Sequence, residues 1–291
     1  MADEDKGGGS TPADASKGPE VGTRFSAEEI HENILKASED EMDRPVAELA
    51  LSGLAAGLSI GFSFLAAALL STRVSVESRP LAEAAAYPLG FIYVVLARHQ
   101  LFTENTLEPV IPLLERRTGR ALRKLLRLWA IVLPANLIGA VIFSFVVART
   151  HLLAPAVDTM LVELARKATS DGALLVFYKG IWAGWLVALM AWLLASTRET
   201  TAQIILIWLT TAPIAGFGFR HSIAGAIEVF YRVWIGDVGL GSAFTSFELP
   251  ALAGNIIGGV ALVALVNHGQ AGSKSSKESK AAGEGGKSEN S

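Results

Sequence analysis

Polar and apolar positions divide the chain into a polar head, a long apolar middle and a polar tail. Residues 1–25, rich in Gly, Ser, Asp and Lys, hold too little apolar surface to offset the entropy of ordering and are expected to be disordered. At 26 the pattern changes. SAEE places Ser26 as an N-cap with Glu29 in the reciprocal position, and Ile30, Ile34 and Leu35 fall on one face, so 26–44 reads as an amphipathic helix on the cytoplasmic side. From 45 to 268 the apolar content is nearly continuous. Stretches at 45–71, 125–147, 174–196 and 247–267 are each long enough to cross a bilayer, which takes about 20 residues. Two more, at 81–114 and 203–234, are interrupted by ARHQLFTENTLEP (97–109) and GFGFRHS (216–222). The last segment, 269–291, is a low-complexity Gly/Ser/Lys/Glu tail, again expected to be disordered. The pattern predicts an all-α membrane protein of six transmembrane helices, with the second and fifth broken.

The breaks carry the chemistry. Irregular backbone within a bilayer is tolerated only where it packs in protein or lines a cavity. Ionisable side chains at that depth cost on the order of 2.5–3.5 kcal/mol each and tend to mark a transport path. The stretch PIAGFGFRHSIAG (213–225) combines both features around His221, which makes this histidine the first candidate for the functional centre.

The two halves of the apolar region resemble each other. SGLAAG (52–57) matches KGIWAG (179–184), YPLGF (87–91) matches APIAGF (212–217), and NLIGAV (136–141) matches NIIGGV (255–260), in the same order. Repeats at about 45–150 and 173–268 would hold three spans each, an odd number, so the second copy must be inverted in the membrane. LFTEN (101–105) and FRHS (219–222) then occupy corresponding positions. Each is expected to restart a half-helix, and two helix N-termini aimed at one cavity favour an anion.

On this reading His221 donates a hydrogen bond or a proton to a weak-acid anion; the plain alternative is a core histidine that holds the loop. Lys179 would gather anions at a pore mouth, or else its ammonium snorkels to the interface. Thr103 and Asn255 are polar groups at buried positions that can bond His221 or substrate, or simply join helices. Ile214 and the aromatics near the breaks are candidates for an apolar constriction.

Composition removes other classes. Apolar residues make up 51% of the chain, and the net charge of −3 says little about partners. With no cysteine there is no thiolate metal site or disulfide frame. A phosphate-binding loop, an HExxH pair and a supported Ser/His/Asp set are all absent from the sequence, so neither an enzyme nor a nucleotide-driven pump is expected. No cofactor, metal or nucleic-acid partner is called for. MADEDKGGGS lacks the apolar core of a secretory signal. The most basic connection, ERRTGRALRKLLR (115–127), is expected in the cytoplasm; six spans then put both termini there, with loops at 72–80, 148–172 and 235–246 outside. A neutral-solute pore and a non-conducting membrane scaffold or sensor remain as alternatives.

KGIWAGW, LFTEN, GFRHSIAG and GNIIGG resemble the signature segments of the formate/nitrite transporter family over about 45–268. The resemblance implies an aquaporin-like protomer in a homopentamer in the bacterial inner membrane, with one pore per subunit. It implies passage of small monovalent anions such as formate, nitrite or hydrosulfide. By motif, Thr103, His221, Lys179 and Asn255 fall on the family's loop threonine, central histidine, lysine and sixth-helix asparagine, and Phe91, Leu101 and Ile214 fall near its apolar slit. The family usually has an acidic residue before LFT and another before the histidine; here they are Gln100 and Arg220. Glu104 replaces a glycine, Gly225 replaces an asparagine, and Arg98 and His99 flank the first break. Arg98, His99, Gln100, Glu104 and Arg220 are therefore the candidate modifiers of selectivity, and the chain looks closer to the YfdC-like branch.

Overall fold

Helices form where the apolar pattern places them, and the order of the elements follows from where that pattern is interrupted. The computed structural model describes residues 25–150 and 152–265. Apart from Phe25, the tails expected over 1–25 and 269–291 lie outside the described residues, as does the end of the sixth apolar stretch. The first helix, α1 (Ala27–Met42), starts at a capping box in which the Ser26 hydroxyl accepts from Glu29 N and the Glu29 carboxylate accepts from Ser26 N. Its buried Ile30 and Ile34 pack towards the short helix α5 (Val110–Arg116), while Met42 joins the main core. Lys124–Asp43 (2.5 Å) and bonds from Arg127 to the carbonyls of Met42 and Arg44 anchor its end.

Four helices are long and apolar enough to span a membrane: α2 (Val46–Ser71), α6 (Gly119–Thr150), α8 (Ala173–Leu194) and α11 (Leu240–Leu265). Between them lie two interrupted segments. One runs through α3 (Arg79–Ala86) and α4 (Pro88–Leu96), then an irregular stretch, then α5. The other is α9 (Thr200–Gly216) followed by α10 (Ser222–Trp234). Close approach requires glycine in corresponding helix pairs: a Cβ on Gly57 of α2 would meet the Asn136 carbonyl of α6, and one on Gly184 of α8 would meet the Asn255 carbonyl of α11.

Three expectations need correction. The connection 148–172 is not merely a loop but carries α7 (Pro155–Ala168), whose Val157, Met160, Leu161 and Leu164 are buried; its 14 residues are too few to cross a bilayer, which takes about 20. The basic segment at 115–127 is loop only at Arg117 and Thr118, because α5 runs to Arg116 and α6 begins at Gly119. The first break does not restart a long half-helix. It yields a single 3₁₀ turn, Glu104–Thr106, before the seven-residue α5.

Candidate functional site

Both broken segments stop in the same way. After α4, His99 N donates to Val94 O (2.9 Å) and Arg98 N to Val95 O (3.0 Å), with Arg98 left-handed at φ 55°. After α9, Phe219 N donates to Ile214 O (2.8 Å) and Gly218 N to Ala215 O (3.0 Å), with Gly218 at φ 67°. These paired 6→1 and 5→2 bonds satisfy the last carbonyls and turn the chain out of the helix axis.

An asparagine then catches each extended strand. Asn136 accepts from Phe102 N (2.8 Å) through Oδ1 and donates through Nδ2 to the carbonyls of Gly53 (2.7 Å) and Gln100 (2.9 Å). Asn255 accepts from Ser222 N (2.8 Å) and donates to the carbonyls of Gly180 (2.9 Å) and Arg220 (2.8 Å). Both asparagines are fully buried, and each uses its amide to replace the helix bonds that the break removed. The expected bond between Asn255 and His221 is therefore not formed: its amide is taken by backbone.

Thr103 does meet His221. Its Oγ1 lies 2.7 Å from His221 Nε2, and both residues are buried. His221 is the N-cap of α10, and its Nδ1 accepts from Ala224 N (3.1 Å). An Nδ1 that accepts a backbone N–H carries no proton, so the neutral ring bears its proton on Nε2 and donates to Thr103. Edge to face against the ring stands Phe91, with ring centroids 5.1 Å apart. Phe91, Leu101 and Ile214 are all buried in one apolar cluster.

A cavity opens on each side of this septum. The larger, about 670 Å³, lies where α4 and α8 end and α9 begins; Arg98, His99, Gln100, Leu101, Glu104 and Glu108 line it, together with Glu41 of α1. Burial raises the Glu41 carboxyl above its usual value, against a Gln100 hydrogen bond and the charges of Arg44 and Arg98. Glu104 thus stands in a vestibule wall beside Thr103. A second cavity of about 290 Å³ lies at the opposite ends of the same helices and reaches His221, with Lys179, Arg220, Asp171, Lys167, Glu83 and Glu228 around it.

Lys179 is not a free ammonium. Its Nζ donates to Asp171 Oδ2 (2.9 Å), and the same oxygen accepts from Arg220 Nε (2.9 Å) and Nη2 (2.5 Å). Partial burial alone would raise the Asp171 carboxyl, but bonds and charge from Lys179 and Arg220 outweigh it and hold it below the ordinary aspartate value. The sequence pointed to both cations but not to Asp171, whose position ahead of α8 carries no motif. No cluster of His, Asp and Glu suited to a metal occurs among the described residues.

Apolar helices broken at a buried histidine and flanked by two polar vestibules define a helical membrane transport protein. Residues 28–269 match the model of the formate/nitrite transporter family, and the chain belongs to that family. It is 34% identical to the inner membrane protein YfdC of Escherichia coli K12, over 87% of this chain and 81% of that one. It is also 30% identical to the nitrite transporter NirC of the same organism, covering 64% and 69% of the two chains. Two solved structures share the fold. One, titled an FNT family ion channel, has a TM-score of 0.69 at 22% identity and covers 82% of this chain and 96% of its own. The other, a pentameric formate channel with formate bound, has a TM-score of 0.65 at 23% identity, with 79% and 96% covered.

Proposed function

We propose that the protein conducts small monovalent weak-acid anions of the formate and nitrite type through a pore in each protomer, and that the Thr103–His221 contact is its central checkpoint. The observation that carries this reading is the meeting of two broken helices at a neutral Nε2–H donor between two polar cavities. An anion arriving from the Lys179 side replaces Thr103 as acceptor. It then passes the apolar septum of Phe91, Leu101 and Ile214, and leaves through the vestibule under α1. Arg98, His99, Gln100, Glu104 and Arg220 set the field at the two mouths, while Asn136 and Asn255 keep the breaks open without touching the ion.

The mirrored caps and asparagine bonds support an inverted repeat of three spans per half. A pentamer in the inner membrane, with both termini on the cytoplasmic side, accords with the pentameric formate channel, with the inner membrane protein YfdC and with the basic 115–127 segment. On this view 45–268 is the channel unit and α1 its cytoplasmic cover.

The test is anion uptake into liposomes at about pH 5 and about pH 7.5, which bracket the usual histidine range. Formate and nitrite should enter selectively over chloride. His221→Ala and His221→Phe should change the rate and its pH dependence while the assembly stays intact. Equal flux in all three proteins at both pH values would sink the role given to His221, and absence of uptake by the wild-type protein would sink the transport reading.

A further inference from the structure

Around the smaller cavity, three cationic side chains meet three acidic ones. Lys167 is taken by Glu83 (2.7 Å), and Glu228 lies deeper, on α10. That leaves Asp171 facing Lys179 and Arg220 together, through one oxygen. Arg220 has a second anchor, since its Nη2 also donates to the Lys167 carbonyl (3.3 Å). Lys179 is fixed by its place on α8. The two cations would thus stay in position if the carboxylate left. Asp171 itself sits in the short connection between Ala168 and Ala173, followed by Gly172, whose Cβ position meets nothing.

We infer that Asp171 is a tethered competitor: its side-chain carboxylate occupies an anion site made by the Lys179 ammonium and the Arg220 guanidinium, and a small carboxylate or oxyanion must displace it to reach His221. The inference rests on the transport reading above and adds to it the group that sets apparent affinity. Formate presents the same pair of oxygens as an aspartate side chain, so a geometry that holds one fits the other. Displacement uncovers the anion next to Arg220, one residue before His221, and the swap exchanges one carboxylate for another without leaving either cation unpaired. A purely structural clamp would behave differently. It would tie the α7–α8 connection to α10 and have no reason to oppose substrate.

Formate uptake by Asp171→Asn in liposomes separates these roles. A competitor predicts that KM falls by roughly three- to tenfold, the scale of one partly exposed ion pair, with the maximal rate not reduced. The same substitution in a Lys179→Gln background should move KM less. An unchanged or raised KM, alongside normal uptake by the wild-type protein, overturns the competitor role and leaves the transport reading standing. If Asp171→Asn fails to assemble, a nitroxide on Ser170→Cys in the otherwise cysteine-free chain reads the loop directly. Formate should mobilise the label where gluconate at equal ionic strength does not; a label indifferent to formate overturns the inference.

Discussion

At His221 a single acceptor decides the hydrogen-bond pattern. With Nδ1 taken by Ala224 N and Nε2 directed to Thr103, Thr103→Ser keeps the partner and should conduct. Thr103→Val leaves a buried N–H unpaired, at a cost of about 1–3 kcal/mol, and should lower both stability and flux. Asn136 and Asn255 each serve three backbone groups. Alanine at either site should destabilise the detergent-solubilised protein by at least about 2 kcal/mol, seen as a lower Tm; a Tm unchanged in Asn255→Ala would mean water serves those groups as well. The opposite case is Glu248, in a π-turn of α11 (Ala243–Glu248). It is 1% exposed, and neither carboxylate oxygen has a hydrogen-bond partner among the described residues. A buried polar group without a partner costs free energy, so Glu248→Met should hold or raise Tm, and a fall would reveal a bonded role.

Among the elements, α1 is the one whose docking depends on pH. Burial raises the Glu41 carboxyl, with Gln100, Arg44 and Arg98 opposing. The neutral form is thus favoured in the docked state, and this contribution is full below the ordinary value of 4.5 and lost as pH rises through the raised one. Docking should therefore tighten as pH falls through the raised value towards 4.5, measured as protease resistance of 26–42, and Glu41→Gln should remove that step. How much of each element was legible followed from its pattern. The long spans and both breaks stood out because apolar runs ended in polar residues. The amphipathic α7 did not, since its apolar face of Val157, Leu161 and Leu164 is too sparse to register as a span. The matching C-caps were hidden too, because Arg98 takes a left-handed conformation that sequence reserves for residues like Gly218.

For the molecule as a whole, the two mouths differ in what faces the ion, and the sequence showed only half of that difference. It marked Lys179, Arg220 and Glu104 one by one. Their partners come from distant segments: Asp171 from the α7–α8 connection, and Glu41 from α1 lying over the same cavity as Glu104 and Glu108. On the proposed path an anion leaving through the larger cavity passes those carboxylates, with Arg98 and Arg198 in the same wall. A like charge beside the path lowers the local anion concentration, and salt screens the effect within about 10 Å at 0.1 M. Assayed at alkaline pH, where carboxylates are ionised, Glu104→Gln should therefore raise formate flux several-fold at low ionic strength and much less at high. A gain that persisted unchanged in high salt would point to pore width instead, and no gain at either would show that the ion does not feel Glu104. Measured with the protein in both orientations, the low-salt gain should be larger for anions entering from the α1 side, because there Glu104 is met before the septum rather than after it.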